Sequence, residues 1–132
     1  MFLRLNPPGV FPPASPYAHA VLHKIGGTRR LVVSGQIGIK SDGTVPGDFI
    51  AQMDQAWDNL LTIIDSADMR IENILKVSMF AVPPNSITLV RAMRDKKLKG
   101  HICASTFLQV SGLANPAFLF EVEAEAIGPA ND

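Results

Sequence analysis

Ala117-Phe118-Leu119-Phe120-Glu121-Val122-Glu123-Ala124-Glu125-Ala126-Ile127-Gly128 alternates strictly between two kinds of residue. Successive side chains of a strand point to opposite faces. One face therefore carries Leu119, Glu121, Glu123, Glu125 and Ile127, and the other carries Phe118, Phe120, Val122, Ala124 and Ala126. The second row is a core face. The first sets like charges two residues apart, which is unfavourable unless the row is well solvated or walls a polar site. A strand with one fully apolar face must pack that face on another layer, so the rest of the chain has to supply the layer.

Working back from this strand (residues 116–127), residues 103–110 read as a fifth strand and residues 74–82 as a fourth, broken by Pro83-Pro84. Between them, Asn85 or Ser86 can cap a helix running to about Leu98. Its outward side is expected to carry Arg91, Arg94, Asp95, Lys96, Lys97 and Lys99. Upstream, Asp48 follows Pro46-Gly47, and Ile50, Met53, Trp57, Leu60, Leu61 and Ile64 recur at helical spacing to about Ala67. Residues 17–25, 30–34 and 37–40 read as three strands, with Gly26-Gly27-Thr28-Arg29 as the hairpin turn of the first pair.

The expected order is β-β-β-α-β-α-β-β: an α+β domain with a six-stranded mixed sheet. Two helices cover only one face of such a sheet, so the other face is expected to meet a symmetry-related copy. Residues 6–16 contain five prolines and read as an extended arm without regular pairing. The expected organisation is a Pro-rich arm (1–16), one domain (17–128) and a short tail (129–132).

The chain has 132 residues, 47% of them hydrophobic, with 12 basic and 12 acidic side chains. That length accommodates one core. The balanced charge argues against nucleic acid or an acidic membrane surface as a partner. The apolar surplus argues for a subunit interface. Cys103 is the single cysteine, so no intrachain disulfide forms, and neither a signal-peptide pattern nor a membrane-length apolar run is visible. A cytoplasmic protein is expected.

Several residues invite chemical readings. His19 and His23 lie four apart, but on a strand they are too far apart to chelate one ion, and no Cys/His cluster accompanies them; no metal or other cofactor is expected. Cys103 has His101 two residues away, yet Ile102 and Ala104 would raise its thiol pKa, so an inert cysteine is expected. Lys96-Lys97-Leu98-Lys99 suits a solvated helix C-terminus. Ser34-Gly35-Gln36 interrupts an apolar strand and reads either as a β-bulge or as a place where the backbone approaches a ligand closely.

In order and spacing, Ser15-Pro16-Tyr17, Leu31-Val32-Val33-Ser34-Gly35-Gln36-Ile37, the helix from Ala51 to Leu60, Asn73-Ile74-Leu75-Lys76-Val77-Ser78-Met79-Phe80 and Glu123-Ala124-Glu125-Ala126-Ile127 resemble the RidA/YjgF family of imine and enamine deaminases. The resemblance covers about residues 15 to 128. It implies a chorismate-mutase-like fold and a homotrimer with small-molecule clefts between subunits, where hydrolysis of a C=N bond gives a 2-oxo acid and ammonia. Carried over by position, it implies Glu123 as the catalytic carboxylate, with Tyr17, Ser34 and Gly35 in the substrate site.

The family's substrate-binding arginine on strand five has no counterpart: Cys103-Ala104-Ser105-Thr106 puts Ser105 there, with Thr106 beside it and Phe107 at a backbone contact. A guanidinium–carboxylate contact is worth about 1.5–3 kcal/mol, so the usual 2-imino acid is expected to bind poorly. Arg91 on the second helix is the candidate substitute. The first reading is a divergent C=N hydrolase. A non-catalytic trimer that binds a metabolite or a protein is the alternative, and a ribonuclease or translation inhibitor comes third.

Overall fold

The computed structural model describes residues 2–130. Six strands form one mixed sheet: β1 (Phe2–Leu5), β2 (Ala20–Ile25), β3 (Thr28–Ile37), β4 (Ile74–Ala81), β5 (Ala104–Gln109) and β6 (Phe120–Pro129). The spatial order is β1-β2-β3-β6-β4-β5. All pairs are antiparallel except β4 with β5. That parallel pair requires a crossover, supplied by α2 (Ile87–Leu98).

The other helix, α1 (Phe49–Ser66), begins at the expected cap: Asp48 Oδ2 accepts a hydrogen bond from Ala51 N at 3.0 Å. Its apolar stripe of Met53, Trp57, Leu60 and Ile64 packs with Leu31, Val33, Val77, Met79, Val122 and Ala124 of the sheet, all buried. The strand alternation thus does what the sequence requires, placing Phe120, Val122, Ala124 and Ala126 in the core. The helices share one face, and the register puts Phe2, Val32, Phe80 and Leu108 on the other, in the row of Glu121 and Glu125.

The number and order of elements match the expectation, but two identities differ. Residues 37–40 do not make a strand of their own; β3 runs on through Ile37, interrupted only by a bulge between Val33 and Gln36. The sixth strand is instead β1, where Phe2–Leu5 pair with β2. The first residues of the expected arm therefore belong to the sheet. Only residues 6–16 remain as the unpaired arm, and the first expected strand starts at Ala20 rather than at residue 17. Residues 116–119 also stay out of β6, because Phe118 N turns back to Asn115 O. Pro129, expected in the tail, closes β6, and residues 131 and 132 lie outside the described residues.

Lys97 departs from the expected solvated cluster. Its ammonium lies 2.6 Å from both Asp54 and Asp58 of α1 and ties the two helices together. Burial works against its charge, but the two carboxylates outweigh that and raise its pKa.

Candidate functional site

The bulge in β3 is the local event that builds the site. Between Val33 and Gln36 β3 advances three residues while β6 advances two, from Ala124 to Val122. The extra residue reverses which side chains face inward. Gln36 consequently turns into the interior, where it is 3% exposed, while Ile37 and Ile39 face a cavity.

His19 locks this arrangement. The Phe11 carbonyl can only accept, so His19 Nε2 donates to it at 2.7 Å, and Nδ1 accepts from Gln36 Nε2 at 3.3 Å. Asn6 Oδ1 accepts from His19 N. The Pro-rich arm is thereby fastened over the bulge. His19 is buried and His23 exposed, so the two do not share an environment as strand neighbours would.

Arm, bulge and β6 together enclose a cavity of about 230 Å³, lined by Phe11, Pro12 and Ala14 of the arm and by Tyr17, Gly35, Phe118 and Glu121 among others. Glu121 lies directly on Gly35: a methyl there would sit 2.6 Å from both Cδ and Oε2 of the glutamate. Burial pushes the Glu121 carboxyl above the usual carboxylate range, and the charge of Glu123 adds to the effect. A carboxyl held like this can exchange a proton with a ligand or a water beside it.

The sequence placed Glu123 here. The structure puts it outside the lining, on an exposed position that pairs with Ser78 of β4. Glu121, read as a residue needing only water or salt, is the cavity's carboxylate. Glu125 has the expected salt partner, Arg30 at 3.0 Å. The signal that separates the three is the bulge, since Gly35 alone offers Glu121 a backbone with no side chain in the way.

Tyr17 and Gly35 line the cavity. Ser34 does not; its hydroxyl donates to Ala18 O at 2.7 Å and fastens the bulge to the segment entering β2. The remaining candidates lie elsewhere. Thr106 shares the open face and accepts from Lys76 Nζ at 2.8 Å. Ser105 and Phe107, by alternation, face the helix layer, so within one chain the sheet itself separates them from Tyr17 and Glu121. Arg91 is exposed and lines neither cavity described.

A second cavity, of about 430 Å³, opens where α2 ends and β5 begins. Arg94, Asp95, Leu98, Gly100, His101, Ile102, Cys103 and Ser105 line it. Burial raises the Cys103 thiol pKa, against an opposing pull from nearby Arg94. The expected direction holds, but Ile102 does not cause it, being 92% exposed.

The sequence model of the endoribonuclease L-PSP family matches residues 10–128. The chain belongs to this family, the RidA/YjgF family. It is 33% identical to a RutC family protein of Pasteurella multocida over 85 residues, covering 64% of this chain and 63% of that protein. It is also 31% identical to the 2-iminobutanoate/2-iminopropanoate deaminase of Escherichia coli strain K12 over 72 residues, covering 54% and 56% of the two chains. These matches thus span little more than half of each relative. The crystal structure of the E. coli YjgF gene product superimposes with a TM-score of 0.82 at 25% identity, covering 95% of this chain and 98% of that one. Among the described residues, no helix is long and apolar enough to cross a membrane.

Proposed function

We propose that this RidA/YjgF family member hydrolyses small imines or enamines, as a cytoplasmic homotrimer with its reactive clefts between subunits. The observation that carries the proposal is the Glu121 carboxyl, laid on Gly35 in a mostly apolar cavity and raised in pKa by burial. In its ionised form Glu121 takes a proton from water as the water oxygen bonds to the imine carbon. The resulting carbinolamine receives that proton on nitrogen, and the C–N bond breaks as the hydroxyl proton passes to the again ionised Glu121, releasing ammonia and leaving a carbonyl. Tyr17 and the arm hold the substrate against the bulge.

What supports an oligomer is the open sheet face, where Phe2, Val32 and Leu108 are 47%, 42% and 51% exposed. Covering that face with another copy removes these side chains from water. It also gives Thr106 of one copy, which shares that face, a route to the Glu121 cavity of the next.

The test is ammonia release from freshly generated 2-iminobutanoate and from small imines without a carboxylate, the latter expected to be the faster, by wild type, Glu121→Gln and Glu123→Gln, with light scattering for the mass. Glu121→Gln is expected to lose roughly 100-fold or more, the scale of general acid–base catalysis, while Glu123→Gln keeps most of its rate. Equal rates for all three would reject the mechanism. Ligand binding without turnover in wild type would favour the non-catalytic alternative.

A further inference from the structure

We propose that the cavity beside the bulge takes a protonated imine that carries no carboxylate, and that the side-chain oxygen of Gln36 reads its N–H group. Gln36 is 3% exposed and lines the cavity. Its amide nitrogen is fully used, donating to Ser34 O at 3.1 Å and to His19 Nδ1 at 3.3 Å. Turned over, the amide would set its oxygen against a carbonyl oxygen and a ring lone pair, two groups that only accept. The His19 tautomer therefore fixes the amide, and the Phe11 carbonyl fixes the tautomer.

Gln36 Oε1 is left without a partner among the described residues. It is not sealed in either: among those residues the enclosed side-chain atoms that lack a partner are Trp57 Nε1 and Ser86 Oγ. A buried amide oxygen, held in one orientation and reachable from the cavity, calls for a donor on whatever fills that space.

The charge of the site selects the same ligand. Among the described residues that line the cavity there is no lysine and no arginine, and Glu121 is the acid. On the adjoining open face Arg30 is paired with Glu125, and Lys76 with Thr106. A carboxylate-bearing ligand would meet the charges of Glu121 and Glu123 with no cation to offset them, whereas an iminium is attracted. The iminium also favours the ionised Glu121 that hydrolysis needs, against the burial that raises its pKa. Walls of Phe11, Ile37, Ile39 and Phe118 around about 230 Å³ suit a small aryl or alkyl body, below the roughly 300 Å³ at which drug-sized ligands begin. The step from ligand to substrate rests on the hydrolase reading; the cation site does not.

Benzamidine, cationic at neutral pH and stable in water, stands in for a protonated aryl imine, and benzoate has nearly the same shape with the opposite charge. The experiment titrates both, and the N–H-free tetramethylbenzamidinium, calorimetrically into the full-length chain. Benzamidine is expected to bind at least about 10-fold more tightly than either of the others. Gln36→Met is expected to weaken benzamidine by roughly 10-fold or more, the scale of one hydrogen bond to a charged group, and to leave the tetramethyl cation within threefold. A merely structural Gln36 would weaken both cations alike, and that result would overturn its role. Benzoate bound as tightly as benzamidine overturns the proposal, as does a folded Gln36→Met that binds benzamidine within threefold of wild type. If Gln36→Met does not fold, equal wild-type affinities for the two cations overturn it instead. Benzamidine binding without Glu121-dependent turnover of any imine would remove the hydrolase reading and leave the cation site standing. Glu121-dependent turnover that is faster on 2-iminobutanoate than on carboxylate-free imines would overturn this substrate class and leave the hydrolase reading.

Discussion

Gly35→Ala puts a methyl group where the Glu121 carboxyl now lies. The new Cβ would sit 2.6 Å from Cδ and Oε2 and 2.9 Å from Cγ, whereas ordinary contact begins near 3.4 Å. The carboxyl must therefore retreat by roughly 0.8 Å, the difference between those separations. Gly35 is not among the glycines with positive φ, so its backbone accepts alanine without strain. The obstacle is the end of a flexible side chain, whose displacement costs about 0.5–1.5 kcal/mol. Removing a glycine from the unfolded chain returns about 0.4–1 kcal/mol. These nearly cancel, so the melting temperature should move by no more than about 3 °C. Catalysis has no such compensation: misplacing a reacting group by about 1 Å can cost on the order of 100-fold. The assay is kcat/KM on whichever of those small imines wild type hydrolyses fastest, beside a thermal melt. A folded Gly35→Ala protein within threefold of wild type would refute the idea that the seat of Glu121 on the bulge matters.

Two further outcomes rest on the same geometry. Gly38→Ala differs from Gly35→Ala in what it meets: its Cβ would lie 2.5 Å from the Gln52 carbonyl oxygen and 2.6 Å from Gln52 Cα, backbone atoms of α1 that cannot step aside. A loss of about 2–3 kcal/mol is expected in chemical denaturation, and a loss under about 0.5 kcal/mol would contradict the rigid approach of strand to helix. Glu121 should also make stability depend on pH. Burial first, and then the charge of Glu123, raises its pKa in the folded chain, so the folded state binds more protons than the unfolded one above the ordinary carboxylate value of 4.5. Raising the pH from about 4 to about 7 should therefore lower the stability of wild type relative to Glu121→Gln; the opposite slope would be incompatible with a raised pKa.

The elements most legible in the sequence were those whose signals are local. Asp48 and the helical spacing behind it located α1, and Gly26-Gly27 located a two-residue turn closed by the Ile25–Thr28 pair. β1 was missed because Phe2–Leu5 is too short to read as a strand without its partner β2. The site was harder for a related reason. Glu121 and Glu123 are equivalent under strand alternation, and only the neighbouring strand's bulge distinguishes them. Arg91 and Arg94 lie one helical turn apart, so which one reaches β5 depends on the crossing of α2 over the sheet edge, a tertiary quantity. Ser34 read as a ligand-facing hydroxyl because nothing in the sequence says that the Ala18 carbonyl lies beneath it.

The single inserted residue in β3 also bears on how such a chain can change over generations. Ahead of the insertion, Leu31 and Val33 point at the helices; beyond it, Gln36 does, and Ile37 points away. Deleting one residue at Ser34-Gly35 would restore unbroken phase and leave the downstream faces as they are, with Gln36 in and Ile37 out, so the core would be spared. If the residue lost is Gly35, the deletion would remove the bare backbone from under Glu121. The proposed site is thus stored as one extra residue in a β-strand. It can vanish in one deletion with little harm to the core, and point substitutions alone cannot bring it back.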